Sequence, residues 1–122
     1  MIAAATDGAE DHEGGDDDAG VALRAAAEEG RVDDVARMLA GGADVNGANA
    51  FGATALHLAT TFNAVGAMEA LVAGGANIDV VNGDGWTALM EAAFGGSLES
   101  LQYLLKAGAD WRLEGGGIQF FI

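Results

Sequence analysis

Apolar residues recur at helical spacing in short segments of this chain, and polar stretches rich in glycine separate the segments. Val21 to Glu29 has helical spacing, and Gly30 follows as a residue that tolerates the left-handed conformation at a helix end. A second helix is predicted by the apolar stripe at Val32, Val35, Met38 and Leu39. So little chain separates the two segments that we expect an antiparallel helix pair.

The helix pair returns in a second copy. We predict helices from Thr54 to Phe62, with Thr54 as the N-cap, and from Val65 to Ala73, with Met68, Leu71 and Val72 facing inward. Asn63 stands at the position of Gly30, and asparagine is the best residue other than glycine for a left-handed conformation.

A third copy follows the second. We predict a helix from Thr87 to Phe94, then a second helix lined by Leu98, Leu101, Leu104 and Leu105. The stretches near residues 44–53 and 77–86 are too polar and too rich in glycine for a helix, so they are predicted to form extended turns between the copies.

A fixed step connects the copies. The phrase Gly52-Ala53-Thr54-Ala55-Leu56 returns 33 residues later as Gly85-Trp86-Thr87-Ala88-Leu89. A glycine, an alanine and an Asp or Asn keep the same step at 42–44, 75–77 and 108–110. Such a period indicates stacked copies of one small unit, in which function normally lies on a continuous surface rather than in a catalytic pocket.

The period divides the chain into an acidic tail over residues 1–19, predicted to be disordered, and repeat units at about 20–48, 49–81 and 82–114. Residues 113–122 depart from the pattern, and we interpret them as an irregular segment or a truncated next repeat. The three units together form one repeat domain over residues 20–112.

The charge of the chain is strongly negative, with a formal net of −14. Residues 1–20 hold seven acids and no Lys or Arg, and the remainder holds twelve acids and five bases. A surface this acidic repels nucleic-acid and lipid phosphates, so we expect neither partner and predict a protein with a basic or mixed surface. No apolar run reaches the length of a membrane span. The first residues lack a basic n-region and a long apolar h-region, so we expect that they are not a signal peptide. We expect an intracellular, cytoplasmic location, with the nucleus as the alternative.

The units resemble ankyrin repeats. The second copy carries Gly52-Ala53-Thr54-Ala55-Leu56-His57-Leu58-Ala59, and the third carries Leu104-Leu105-Lys106-Ala107-Gly108-Ala109-Asp110. The first copy lacks the Thr phrase and resembles an N-terminal capping unit. The resemblance covers about residues 20–112 and implies an all-α solenoid of stacked helix-turn-helix units with connecting turns like β-hairpins. It also implies a non-catalytic module for protein–protein interaction.

The chain departs from the family pattern at several positions. Ala55 and Ala88 replace the usual proline after Thr. Met90 stands where His57 stands, so a hydrogen bond from Thr to His is predicted in only one unit. We find no recognisable C-terminal cap in the sequence. The last helix pair is therefore expected to expose an apolar face.

The resemblance places the candidate partner-binding residues on the hairpin tips and on the concave face of the inner helices. The large aromatics there could instead tuck between neighbouring helices, whereas Tyr103 and Trp111 are expected to pack against the fold. Glu28 and Glu29 would add an acidic edge to the aromatic stripe. The full candidate set comprises Glu28, Glu29, Phe51, Ala53, Thr61, Phe62, Asp84, Trp86 and Phe94.

No enzymatic site is indicated by the residues. Asn82, Asp84 and Glu91 match part of an EF-hand loop, but Val80 stands at its first ligand position, so we expect no metal. The glycines before Thr87 mimic a dinucleotide fingerprint without the crossover unit that such a site needs, so no cofactor is expected. His57 is interpreted as a structural partner of Thr54, without the orienting group that a catalytic histidine needs.

Two other hypotheses stay open beside the binding module. The bare C-terminal face could pair with itself or with further repeats, which would make the chain a structural assembly element. Phe120-Phe121-Ile122 could instead add as a strand to a peptide-binding domain.

Overall fold

In a computed structural model of the chain, residues 18–112, 114–115 and 118–119 are described. Six helices fill most of this part of the chain, and a short pair of antiparallel strands follows them. The elements are α1 (Asp18–Glu28), α2 (Val32–Ala40), α3 (Ala55–Thr61), α4 (Val65–Ala73), α5 (Ala88–Gly95), α6 (Leu98–Lys106), β1 (Glu114–Gly115) and β2 (Ile118–Gln119).

The helices form two stacked layers. Each unit contributes an antiparallel pair, in which α1, α3 and α5 make the inner layer and α2, α4 and α6 make the outer layer. Contacts run between consecutive helices of the same layer and between the two helices of each pair. This arrangement confirms the predicted all-α stack of helix-turn-helix units.

Within the described residues α1 begins at Asp18, so Asp18 and Ala19, which were assigned to the acidic tail, are helical. An acidic side chain in the first turn of a helix interacts favourably with the positive end of the helix dipole. Asp18, the last residue of the aspartate run, therefore stabilises the first turn of α1. The rest of the predicted tail, and the segment Phe120-Phe121-Ile122, lie outside the described residues.

The core follows the period of the sequence. Leu23, Leu56 and Leu89 occupy the same position in successive inner helices, and all three are buried. Small buried alanines at 26–27, 59 and 92 let the inner helices approach closely. Val35, Met68, Leu71 and Leu104 close the core from the outer helices. Each large apolar side chain buried in this way contributes roughly 1.5–3 kcal/mol.

Some residues of the predicted apolar stripes are exposed. Val32 and Leu98 are the first residues of α2 and α6, and they are 40% and 57% exposed. Leu105 is exposed because no helix in the described part of the chain stacks on α6 beyond α4. Trp111 is also exposed, so the expectation that it packs is wrong, whereas Tyr103 is half-buried against the core as expected.

Hairpin turns connect the units, as the glycine-rich stretches predict. Asn49 stabilises the first turn, because its side-chain oxygen accepts hydrogen bonds from the backbone N–H groups of Phe51 and Ala53. Neighbouring turns touch through the backbone, where the Gly83 N–H donates to the Phe51 carbonyl at 2.9 Å. Gly52 has a φ of +78°, and a Cβ atom built there would lie 2.5 Å from the Gly83 nitrogen. Only glycine therefore fits at position 52.

A second set of hydrogen bonds repeats between the turns. The Asn46 side chain accepts from the Asn77 N–H at 2.7 Å, and 33 residues later the Asp79 side chain accepts from the Asp110 N–H at 2.9 Å. The same contact therefore occurs at the same place in consecutive units. It sets the orientation of each turn relative to the next.

Asn63 connects the second unit to the third at the other end of the helices. Its φ of 55° confirms the predicted left-handed conformation. Its side-chain oxygen accepts hydrogen bonds from the Ser100 N–H at 3.1 Å and the Ser100 hydroxyl at 2.7 Å, and its amide donates to Glu99 at 2.9 Å. The residue at the N-cap of α6, Ser97, makes no side-chain capping bond. Asn63 of the preceding unit therefore caps this helix.

Candidate functional site

An open groove of about 400 Å³ lies between the last complete hairpin turn and the inner helices. One wall is the turn that precedes α5, and the other wall is made by the C-terminal ends of α3 and α5. The groove therefore lies where the resemblance places the binding surface of the family, at a hairpin tip and the concave layer.

Four of the nine candidate residues line this groove. Asp84 and Trp86 come from the turn, and Thr61 and Phe94 come from equivalent positions on α3 and α5. Trp86 is half-buried, whereas Phe94 is 72% exposed. The alternative in which Phe94 tucks between helices is therefore wrong.

The two aromatic rings of the groove contact each other. The centroids of Trp86 and Phe94 are 5.0 Å apart, and their planes are perpendicular. Edge-to-face pairs of this kind are favourable by about 0.5–1.5 kcal/mol beyond the area that they bury. The contact holds both rings in place along one side of the groove.

Trp86 is also fixed through its backbone by His57. The Thr54 N–H donates to His57 Nδ1 at 3.1 Å, so this ring nitrogen accepts and the ring proton is on Nε2. Nε2 donates to the Trp86 carbonyl at 2.9 Å, which ties α3 to the next turn. The predicted bond between Thr54 and His57 is confirmed at 3.0 Å, and in the third unit Thr87 caps α5 by accepting from Met90 N–H alone. His57 is thus a buried structural residue.

The remaining lining residues, Asn82, Glu91, Gly95 and Ser97, were not predicted. Glu91 accepts hydrogen bonds from the Asn82 amide at 2.8 Å and from the Thr61 hydroxyl at 3.1 Å. The sequence carries a signal for Glu91, because the second unit has Leu58 at the equivalent position. A charged residue at a position that is apolar in the preceding repeat indicates that this position does not serve packing in the third unit.

The other five candidate residues lie outside the lining of the groove. Phe51 and Phe62 are 80% and 57% exposed, so Phe62 does not tuck between helices either. Ala53 is half-buried in the turn before α3. Glu28 and Glu29 are exposed at the end of α1, and Glu29 pairs with Arg31 at 2.8 Å. Because Arg31 partly neutralises Glu29, the acidic edge predicted there is weaker than the sequence suggests.

Every residue that lines the groove belongs to a segment of the sequence without Lys or Arg. Between Arg37 and Lys106 the sequence contains no Lys or Arg, and it contains six acids. Across residues 18–112 the count is twelve acids and five bases, a net of −7. The basic side chains therefore lie near the two ends of the stack, and the middle of the stack carries only negative formal charge.

The described residues contain no group of three or more His, Asp or Glu side chains that could hold a metal ion. Among the described helices, none has the length and apolar character needed to cross a membrane.

Comparison with known families agrees with the repeat pattern. The family model described as "Ankyrin repeats (3 copies)" matches residues 23–114, which is most of the chain. A search of curated proteins found no match to the sequence.

Proposed function

The chain belongs to the ankyrin repeat family, and on this premise we propose that it is a non-catalytic module that binds a protein partner through its concave face and hairpin tips. Ankyrin repeats are generally modules for protein–protein interaction. The partner surface that we propose is basic or mixed in charge.

One observation carries this proposal. Large aromatic side chains are exposed along the surface that the family uses for binding, with Phe94 at 72% and Phe62 at 57%. Exposed aromatics that cluster beside a groove are common at protein interfaces, where a few of them provide most of the binding energy. Phe62 is exposed and Trp86 is half-buried, and neither belongs to the hydrophobic core. Replacing these two rings therefore tests binding without removing core packing.

The test uses a double substitution, Trp86→Ala with Phe62→Ala. A partner is first captured with the wild-type chain, purified, and its Kd measured against wild type and variants. We expect the double variant to lose binding, with an unchanged helical circular dichroism spectrum. Trp111→Ala is the control for the loss of a tryptophan, because Trp111 is exposed and does not line the groove. A partner that binds the double variant as tightly as wild type would show that the aromatic surface is not the binding site.

A second candidate function is assembly through the C-terminal face. The side chains of Val32 and Leu39 on α2 pack against two glycines of the next unit. A Cβ atom built at Gly66 of α4 would lie 3.0 Å from Val32, and a Cβ atom built at Gly74, directly after α4, would lie 2.6 Å from Leu39. Leu98 and Leu105 are their counterparts on α6, and they are exposed. This favours a further helix pair, from another copy or another repeat, as the partner of α6.

Solution mass across a concentration series, with and without residues 113–122, separates the two functions. A binding module stays monomeric in both forms. Self-association that changes on trimming, and that Leu105→Glu abolishes, would support assembly.

A further inference from the structure

We infer that the groove beside Trp86 receives an arginine side chain of the partner, with the guanidinium group against the aromatic rings and its N–H groups directed to Glu91. This inference rests on the proposed function and names the chemistry that the same site recognises. It follows from the shape of the groove, its hydrogen-bonding capacity and its charge.

The walls of the groove differ in chemistry. Trp86 and Phe94 form an aromatic side, in which the two rings are perpendicular and their centroids are 5.0 Å apart. Glu91 and Asp84 add carboxylates to the same lining. An aromatic face beside a carboxylate suits a planar cation, which stacks on the ring and donates to the oxygens at its edge.

Glu91 is positioned to accept such a donor. The Asn82 amide donates to one of its oxygens, and the Thr61 hydroxyl lies 3.1 Å from the other. A carboxylate offers about four acceptor positions, so these two contacts leave capacity for a further donor. The Asn82 amide holds one carboxylate oxygen, whereas the Thr61 hydroxyl shares its single proton between the other oxygen and the His57 carbonyl at 3.0 Å. Glu91 is therefore already oriented by Asn82, and a partner loses little entropy in ordering it.

The charge of the surrounding chain selects a cation. The segment from residue 38 to residue 105 contains six acids and no Lys or Arg. A cationic partner is therefore attracted, and an anionic one is repelled. His57, the only histidine in that segment, is buried outside the groove lining, with its ring nitrogens bonded to the Thr54 N–H and the Trp86 carbonyl.

Arginine is favoured over lysine by geometry. The guanidinium group is planar, stacks on aromatic rings and donates to carboxylates in parallel pairs, whereas an ammonium group is a compact and strongly hydrated charge. The groove is open to solvent and can admit a long side chain, whose methylene groups would lie along Phe94. We therefore expect recognition of arginine within an exposed segment of the partner.

A selection from a displayed library of random short peptides tests this inference on the full chain. Peptides that bind wild type and are lost with Trp86→Ala report on the groove. Synthetic versions then carry citrulline, which has the shape of arginine without its charge, or lysine, in place of each arginine. Affinities are measured by calorimetry against wild type, Glu91→Gln and Asp84→Asn. Glu69→Gln is the control, because Glu69 is exposed on α4, outside the groove lining.

We expect peptides that depend on Trp86 to be enriched in arginine, and citrulline to weaken binding by about tenfold or more. Lysine should weaken it by a smaller factor. In Glu91→Gln the ratio between arginine and citrulline peptides should fall to about threefold or less, whereas Glu69→Gln should keep the wild-type ratio. Thermal melts establish that each variant is folded.

Two results would overturn the inference and leave the proposed function standing. One is a set of Trp86-dependent peptides without arginine enrichment. The other is an arginine preference that Glu91→Gln does not reduce. A chain for which no peptide and no captured protein depends on Trp86 or Phe62 would instead contradict the proposed function itself.

Discussion

Replacement of Asn63 by glycine isolates the capping contact between the second and third units. Glycine already occupies the equivalent positions, Gly30 and Gly96, with φ angles of +72° and +75°. The substitution therefore keeps the left-handed backbone and removes only the side chain. The Ser100 N–H and hydroxyl lose their acceptor, and Glu99 loses a donor.

The expected loss in the free energy of unfolding follows from the hydrogen bonds that each group loses. Loss of a helix cap costs about 0.5–2 kcal/mol, and a buried donor without a partner costs about 1–3 kcal/mol. Ser100 is fully buried, although its hydroxyl retains a contact to Met68 Sδ at 3.3 Å. Relief of the left-handed strain of about 1 kcal/mol is offset by the greater freedom of glycine in the unfolded chain, about 0.4–1 kcal/mol. We therefore expect a net loss of about 1–2 kcal/mol.

Thermal unfolding followed by circular dichroism measures this loss. For a domain of this size it corresponds to a decrease in Tm of about 5–12 °C. Gly30→Asn is the reciprocal variant, because a Cβ at Gly30 meets only Ala64 at an ordinary 3.6 Å and an Asn there can cap α4, which has no side-chain cap. We expect it to be neutral or slightly stabilising, by about 0–1 kcal/mol.

The reasoning is refuted if Asn63→Gly changes Tm by less than about 1 °C, because the cap would then contribute nothing. It is also refuted if Gly30→Asn is as destabilising as Asn63→Gly. That result would assign the effect to the backbone conformation instead of the hydrogen bonds.

Three further predictions concern the turns and the charges. Gly52→Ala should lower the free energy of unfolding, measured by urea denaturation, by about 2–4 kcal/mol. Gly42→Ala is the control, because Gly42 also has a positive φ but has open space around it, and it should cost about 1–2 kcal/mol. Equal losses would mean that the turns are not in tight contact. His57→Met, which copies the residue of the third unit, should cost about 1–3 kcal/mol because the Thr54 N–H loses its acceptor, and a neutral result would disprove the role of the ring. The Asn63 amide, the largest cause, and a backbone hydrogen bond hold the pKa of Glu99 below its usual range. Stability from this contact is therefore present at neutral pH and lost as the pH falls through the folded pKa. Asn63→Gly should raise that pKa in an NMR titration, and an unchanged pKa would contradict the contact.

The period of the sequence predicted most of the fold. Leu23, Leu56 and Leu89 are buried at one repeated position because the same packing problem is solved in the same way in each unit. The period did not predict burial correctly in the last unit, where no further described helix pair stacks on the outer helix. Leu105 repeats Leu39 in the sequence, but its exposure depends on what stacks against α6, which a local pattern does not contain.

The candidate site was predicted only in part for a similar reason. Trp86 and Phe94 stand out as large residues at variable positions, and the structure brings them together. Asn82 and Glu91 were considered only as part of an incomplete metal loop, and the replacement of Leu58 by Glu91 at the equivalent position was not read as a sign of a binding site. Their importance arises from the hydrogen bond between them and from Thr61 of the preceding unit, and contacts between units are not written in the local sequence.

The backbone contact between Gly52 and Gly83 also has a mechanical consequence. At the turns the units meet through a main-chain hydrogen bond with no side chain between them, whereas the outer helices meet through side chains such as those of Val32 and Leu39. We expect the turns to act as the hinge when the stack bends. Bending then changes the distance between the outer helices and leaves the distance between the turns almost constant. The outer layer would then act as the compliant side of the stack.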